Sequence, residues 1–119
     1  DVIIEILRGN PTTVAWIRKQ RASGEVLRYS PVTRAEVRAG ARPSERAAIS
    51  GLFESLVAVP IEASTGDLAG DQLARFAASH GVQLGDALIA ASAIEHRDEV
   101  ATFNSKHFPG IKRIVRPAR

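Results

Sequence analysis

After an apolar opening segment at residues 1–7, four short strand-like runs punctuate this chain at residues 26–30, 56–61, 100–102 and 111–115, and most of the sequence between them reads as helix. Helices of that length rule out tight hairpins between successive strands. They carry the chain back to the same edge, so neighbouring strands run parallel. The alternation therefore predicts an α/β fold with a mostly parallel sheet. Helices are expected over 12–22, 33–39, 43–55 and 62–80, and from Asp86 to about residue 96. Pro11 and Pro43 sit at helix starts, and Gly24, Gly40 and Gly81 at helix ends.

At 119 residues the chain is expected to form a single domain, 1–119, large enough to bury a core without staples. It has no cysteine, which excludes disulfides, a thiolate zinc site and a Cys nucleophile, and fits a reducing, cytoplasmic setting. No apolar run approaches the roughly 20 residues that span a bilayer, and a signal peptide is not expected from the opening residues. The net charge of +3 rests mostly on arginine, which suits bidentate phosphate contacts. Residues 112–119 concentrate that charge. They read as a contact for RNA or an acidic partner, or as a frayed basic tail.

Three polar residues outside these runs carry chemical interest. Asp86 opens a very apolar helix, in Leu84-Gly85-Asp86-Ala87-Leu88-Ile89-Ala90-Ala91. It reads as an N-cap, or as a ligand, because Ile89, Ala90 and Ala93 share its face and a carboxylate there needs a partner or a metal. Glu36 follows Thr33 by three residues, the spacing of a capping box. Asn104 follows the third strand and reads as a turn cap. Together, however, Glu36, Asp86 and Asn104 follow or flank strand ends, where an open α/β sheet gathers its functional groups. Oxygen ligands converging there would suit Mg²⁺ or Mn²⁺ and a phosphodiester substrate. His80, His96 and His107 lack zinc-like spacing and read as surface or packing residues. The phenylalanines read as core. No glycine-rich phosphate loop or nucleophile elbow is present.

Four segments in order carry a family resemblance. They are Asp1-Val2-Ile3-Ile4-Glu5-Ile6-Leu7-Arg8-Gly9-Asn10, Ser30-Pro31-Val32-Thr33-Arg34-Ala35-Glu36-Val37, the Asp86 stretch, and Thr102-Phe103-Asn104-Ser105-Lys106-His107-Phe108. With them the chain resembles a PIN-domain ribonuclease of the VapC toxin type. The resemblance implies a Rossmann-like α/β/α sandwich and a Mg²⁺-dependent endoribonuclease, with Mn²⁺ as an alternative metal. Its expected partners are RNA, a VapB-type antitoxin, and a second copy or a toxin–antitoxin hetero-oligomer, with no membrane. By motif position Glu36, Asp86 and Asn104 are the catalytic set, and Asp86, Glu36 and Asp1 the metal ligands. Asn104 departs from the usual acid, since an amide can ligate but cannot act as a base. Asp1 matches the last residue of the opening Asp-x-Asp pattern, so the first strand and its leading Asp are expected before residue 1. Two other readings stay open, a non-catalytic binding protein of this fold and an α/β enzyme acting on a small phosphoester.

Overall fold

Three helices of this protein begin behind a short polar side chain that caps them. The computed structural model describes residues 1–119 as two compact units, Asp1–Val59 with Pro117–Arg119, and Pro60–Arg116. In the first unit, Asp1 caps α1 (Val2–Leu7), its Oδ1 accepting from the Val2 amide at 2.8 Å. Asn10 caps α2 (Pro11–Ala22) by accepting from the Thr12 and Thr13 amides. Ser30 caps α3 (Pro31–Ala39) by accepting from Val32 at 3.2 Å. Proline at the first helical position gives up no hydrogen bond and is already set near helical φ. A 3₁₀ turn over Pro43–Glu45 then leads into α4 (Arg46–Glu54).

Two short strands, β1 (Arg28–Tyr29) and β2 (Val57–Ala58), pair in parallel in this unit. The ladder extends by one bond at each end, Val57 to Leu27 and Val59 to Tyr29, both 2.9 Å. The buried Phe53 of α4 packs against Tyr29 with ring centroids 4.7 Å apart. Arg34 lies over the Phe53 ring and donates to the Tyr29 hydroxyl at 2.9 Å. Burying a phenylalanine side chain contributes roughly 2–3 kcal/mol, so this cluster anchors α3 and α4 to the strand pair. Residues 117–119 are held here, against the frayed-tail alternative for the basic run. Buried Thr13 donates to the Ala118 carbonyl at 3.0 Å, and Arg119 donates to Glu5 at 3.2 Å.

The second unit contains α5 (Ala63–His80), α6 (Leu84–His96), β3 (Val100–Ala101) and β4 (Ile114–Val115). Alanines make α6 a helix that neighbours can approach closely. Ala87 and Ala91 pack with Ala69 and Val82, flanked by Leu68, Leu73, Phe76 and Leu88. Ala90 and Ala93 pack with Val100 and Phe108, flanked by Ile89, Ile111 and Ile114. β3 and β4 are parallel, with bonds from Val100 to Arg113 and from Thr102 to Val115. Gly81 ends α5 in the left-handed region, at φ 66°, where a Cβ would be strained. No helix is long and apolar enough to cross a membrane.

The expected helices and parallel pairing are present, but the strands form two separate pairs rather than one sheet. Each assigned strand is two residues long. Pro31, Pro60 and Pro117 follow three of the strand segments closely and have no N–H for a longer ladder.

Candidate active site

Asp86 is the third residue of α6, in the first turn of the helix rather than at its cap; Gln83 holds the cap position. Its charge still complements the positive end of the helix dipole. The side chain is about a quarter exposed, and its Oδ1 faces the His107 Nδ1 at 4.0 Å. That separation is an electrostatic contact, too long for a hydrogen bond.

His107 ends a 3₁₀ turn, Ser105–His107, for which Asn104 holds the cap position. The Asn104 Nδ2 lies 3.1 Å from the His107 Nε2. Thr102 Oγ1 accepts from the Asn104 amide at 3.0 Å and fixes the turn. Buried Phe103 and Phe108 bracket it, and Arg116 donates to the Phe103 carbonyl at 2.7 Å. Asp86, His107 and Asn104 therefore form one polar cluster at the head of α6. His107 is a surface residue, as expected, and its half-exposed ring also lies against the two residues that the motifs singled out. The Asn-x-x-His spacing, which puts both side chains on one short turn, was the available signal. His80 and His96 bond only locally, to Ser79 and to the Ser92 carbonyl.

Glu36 and Asp1 belong to the first unit. Glu36 is exposed in the middle of α3, and the capping box expected with Thr33 is absent because Ser30 and Pro31 start the helix a residue pair earlier. Asp1 spends one carboxylate oxygen on the cap of α1. Asp1 lies within electrostatic reach of Glu36 and Glu5. The same unit holds a carboxylate that the sequence left unremarked. Glu5 is buried, accepts from Asn10 at 3.1 Å and pairs with Arg8 and Arg119. The Asn10 hydrogen bond is the main cause of its lowered pKa, with the two arginines adding to it.

In neither unit do three His, Asp or Glu side chains gather closely enough to hold an ion unaided. The donors offered at the motif positions are carboxylate and amide oxygens, with no sulfur in the chain. That chemistry fits a hard divalent cation of the Mg²⁺ or Mn²⁺ kind and not a soft one.

Residues 1–114 match the PIN domain family profile. The chain belongs to the PIN domain family. Among related PIN proteins, Ribonuclease VapC10 of Mycobacterium tuberculosis is 36% identical over 118 residues, covering 98% of this chain and 88% of the relative. Ribonuclease VapC19 of the same organism is 32% identical over 109 residues, 91% of this chain and 87% of the relative. A solved structure described as a toxin-antitoxin complex from Klebsiella pneumoniae superposes with a TM-score of 0.74 at 24% identity. It covers 98% of this chain and 92% of its own. At that identity the likeness establishes the PIN fold, a helix-rich α/β arrangement with short parallel strands.

Proposed function

We propose that this PIN protein is the toxin of a VapBC-type pair, a Mg²⁺-dependent endoribonuclease that cleaves RNA phosphodiester bonds. The observation that carries the reading is the Asp86–His107–Asn104 cluster, built from the third and fourth motifs in a chain 36% identical to a VapC ribonuclease. The family profile runs through both units, which supports reading 1–119 as one PIN domain.

In this reading Asp86 supplies a hard anionic oxygen, held in place by the packed alanines of α6. Asn104 supplies an amide oxygen that can ligate or orient water but takes up no proton. Glu36 and Asp1 complete the ligand set by their motif positions, and Glu36 orients the attacking water. A bound divalent cation supplies Lewis-acid stabilisation of the phosphate and a more acidic water. Arginine and lysine side chains hold the RNA backbone. A VapB-type antitoxin is the expected partner, supported by the names of the VapC relatives and by the likeness to a chain solved within a toxin-antitoxin complex. A second copy or a hetero-oligomer, and a cytoplasmic setting, belong to the same reading.

Asp86→Asn keeps the side-chain shape and removes the charge. It is expected to lower Mg²⁺-dependent RNA cleavage about a hundredfold or more, with the circular dichroism spectrum and melting temperature near those of the parent. A folded variant that cleaves RNA as fast as the parent sinks the nuclease reading. Asn104, standing where the family has an acid, favours the second reading, a non-catalytic PIN binding protein. Absence of Mn²⁺ binding in a calorimetric titration would select it.

A further inference from the structure

The last turn of α6 and the chain leading into β4 face each other across an open cleft of about 340 Å³. Its floor continues the core. Ala93 belongs to the cluster that packs α6 against β3, Ile111 packs on that cluster, and the exposed Ile94 carries the apolar surface out to solvent. Its walls are held from behind. Gly110, at φ 77°, presses on the Phe76 ring so closely that a Cβ there would lie 3.0 Å from it. Arg113 donates to the Arg97 carbonyl at 2.6 Å and ties one wall to the other. A cleft braced in this way is formed before anything enters it, which lowers the ordering cost of binding.

The rim is charged. Arg97, Lys112 and Arg113 stand on it against one acid, Asp98. Arg113 is answered by Glu99 at 3.6 Å. Arg97 and Lys112 are exposed, and neither has an acidic partner. Arg97 also closes α6 in the left-handed region, at φ 54°, where glycine or asparagine is the usual occupant. An arginine there accepts backbone strain and sets a cation at the edge of the cleft.

An apolar floor under a cationic rim complements an apolar side chain flanked by carboxylates. It suits RNA less well. No aromatic side chain lines the cleft for a base to stack on, and Asp98 on the wall and Glu99 beside Arg113 repel phosphates.

We propose that this cleft docks an acidic segment of a partner protein, which seats one large apolar side chain on Ala93, Ile94 and Ile111 and sets carboxylates against Arg97 and Lys112. The cleft lies in the last turn of α6, whereas Asp86 lies in the first. At 1.5 Å per residue the two are roughly 12–17 Å apart along the helix. An occupant of the cleft therefore leaves the head of α6 uncovered, and the proposal stands apart from the nuclease reading.

The test uses the full chain, ¹⁵N-labelled, and a synthetic peptide with one leucine between aspartates and glutamates. Proton–nitrogen correlation spectra recorded through the titration should move the amides of residues 93–98 and 110–113 and leave those of Asp86, Asn104 and His107 in place. Replacing the leucine of the peptide by serine should weaken binding about tenfold or more. Lys112→Glu and Ile94→Gln should each weaken it about threefold or more. Both positions are exposed, so the melting temperatures of these variants should stay near that of the parent. No shifts at millimolar peptide, shifts centred on the head of α6, equal binding of the serine peptide, or an affinity indifferent to both substitutions overturns the proposal. So does an oligouridine RNA that moves the same amides more than the peptide does, which makes the cleft an RNA contact. A concentration-dependent dimer that Ile94→Gln dissolves makes a second copy the occupant and overturns it equally. A parent protein that binds the peptide but cleaves no RNA counts against the nuclease reading alone.

Discussion

Glu95 and Glu5 are the carboxylates most thoroughly held in this protein, and neither belongs to the motifs. Glu95 of α6 accepts from the hydroxyls of Ser64 and Thr65 at the start of α5, each at 2.5 Å. Fully buried Thr65 also accepts from the Glu62 amide, so one hydroxyl both closes the first turn of α5 and ties it to α6. Hydrogen bonds to the ionised form lower the pKa. At Glu95 the bond from Ser64 is the larger cause and that from Thr65 the next. Both glutamates lie below their ordinary value of 4.5. A depressed folded-state pKa contributes stability that is present above the unfolded value and lost as pH falls through the folded one. Urea unfolding from pH 7 to pH 3 should therefore show stability declining as pH drops below about 4.5. Glu95→Gln should be less stable than the parent at pH 7, and the two should converge toward pH 3. A gap that stays constant across that range would show that the charge of Glu95 is not what α5 and α6 share.

Among the elements, α5 shows why helices were more legible in the sequence than strands. Its end is written in one residue, Gly81, because a left-handed φ of 66° strains any side chain with a Cβ. Prolines at the first positions of α2 and α3 mark starts equally well. The start of α3 also shows how such a reading slips. Thr33 and Glu36 have capping-box spacing, but Ser30 followed by Pro31 offers an earlier start, and Glu36 falls in the middle of the helix. Strand residues were located, yet strand extent depends on partners elsewhere in the chain, which no local pattern encodes. The local logic of α5 yields opposite signs for one substitution. Gly70 lies within the helix with open space around its missing Cβ, and Gly81 ends it at positive φ. Gly70→Ala should stabilise by about 0.5–1 kcal/mol, by restricting the unfolded chain and favouring helix. Gly81→Ala should destabilise by about 1 kcal/mol. Both are read from the urea midpoint at unchanged slope; the same sign in both variants would contradict this account of where α5 ends.

At the scale of the whole molecule, the third and fourth motifs were legible in the sequence, but the contact of His107 with Asp86 was not. The two residues are far apart in sequence. They meet because Val100 and Phe108 pack on Ala90 and Ala93, so that the turn after β3 comes to the head of α6. Charge was read less well than the motifs, since a net +3 says nothing about which cations are already committed. The arginines of the C-terminal run bond to other groups of the chain, at its surface. Arg113 pairs with Glu99 and donates to the Arg97 carbonyl, Arg116 donates to the Phe103 carbonyl, and Arg119 pairs with Glu5. Lys106 differs from these. It lies on the turn that carries Asn104 and His107, away from the C-terminal run. If RNA is cleaved there, Lys106 meets a phosphate, and each such contact adds about 0.7 to the dependence of log affinity on log salt for a single strand. Lys106→Ala should weaken RNA binding at low salt, reduce that slope by about 0.7 and leave the melting temperature near that of the parent. Arg116→Ala should instead lower the melting temperature, by releasing the carbonyl of Phe103, and leave the slope as it was. Fluorescence-anisotropy titrations of a catalytically silent Asp86→Asn background, at several salt concentrations, separate the two. A slope change in Arg116→Ala and none in Lys106→Ala would place the RNA-binding cations in the C-terminal run and away from the head of α6.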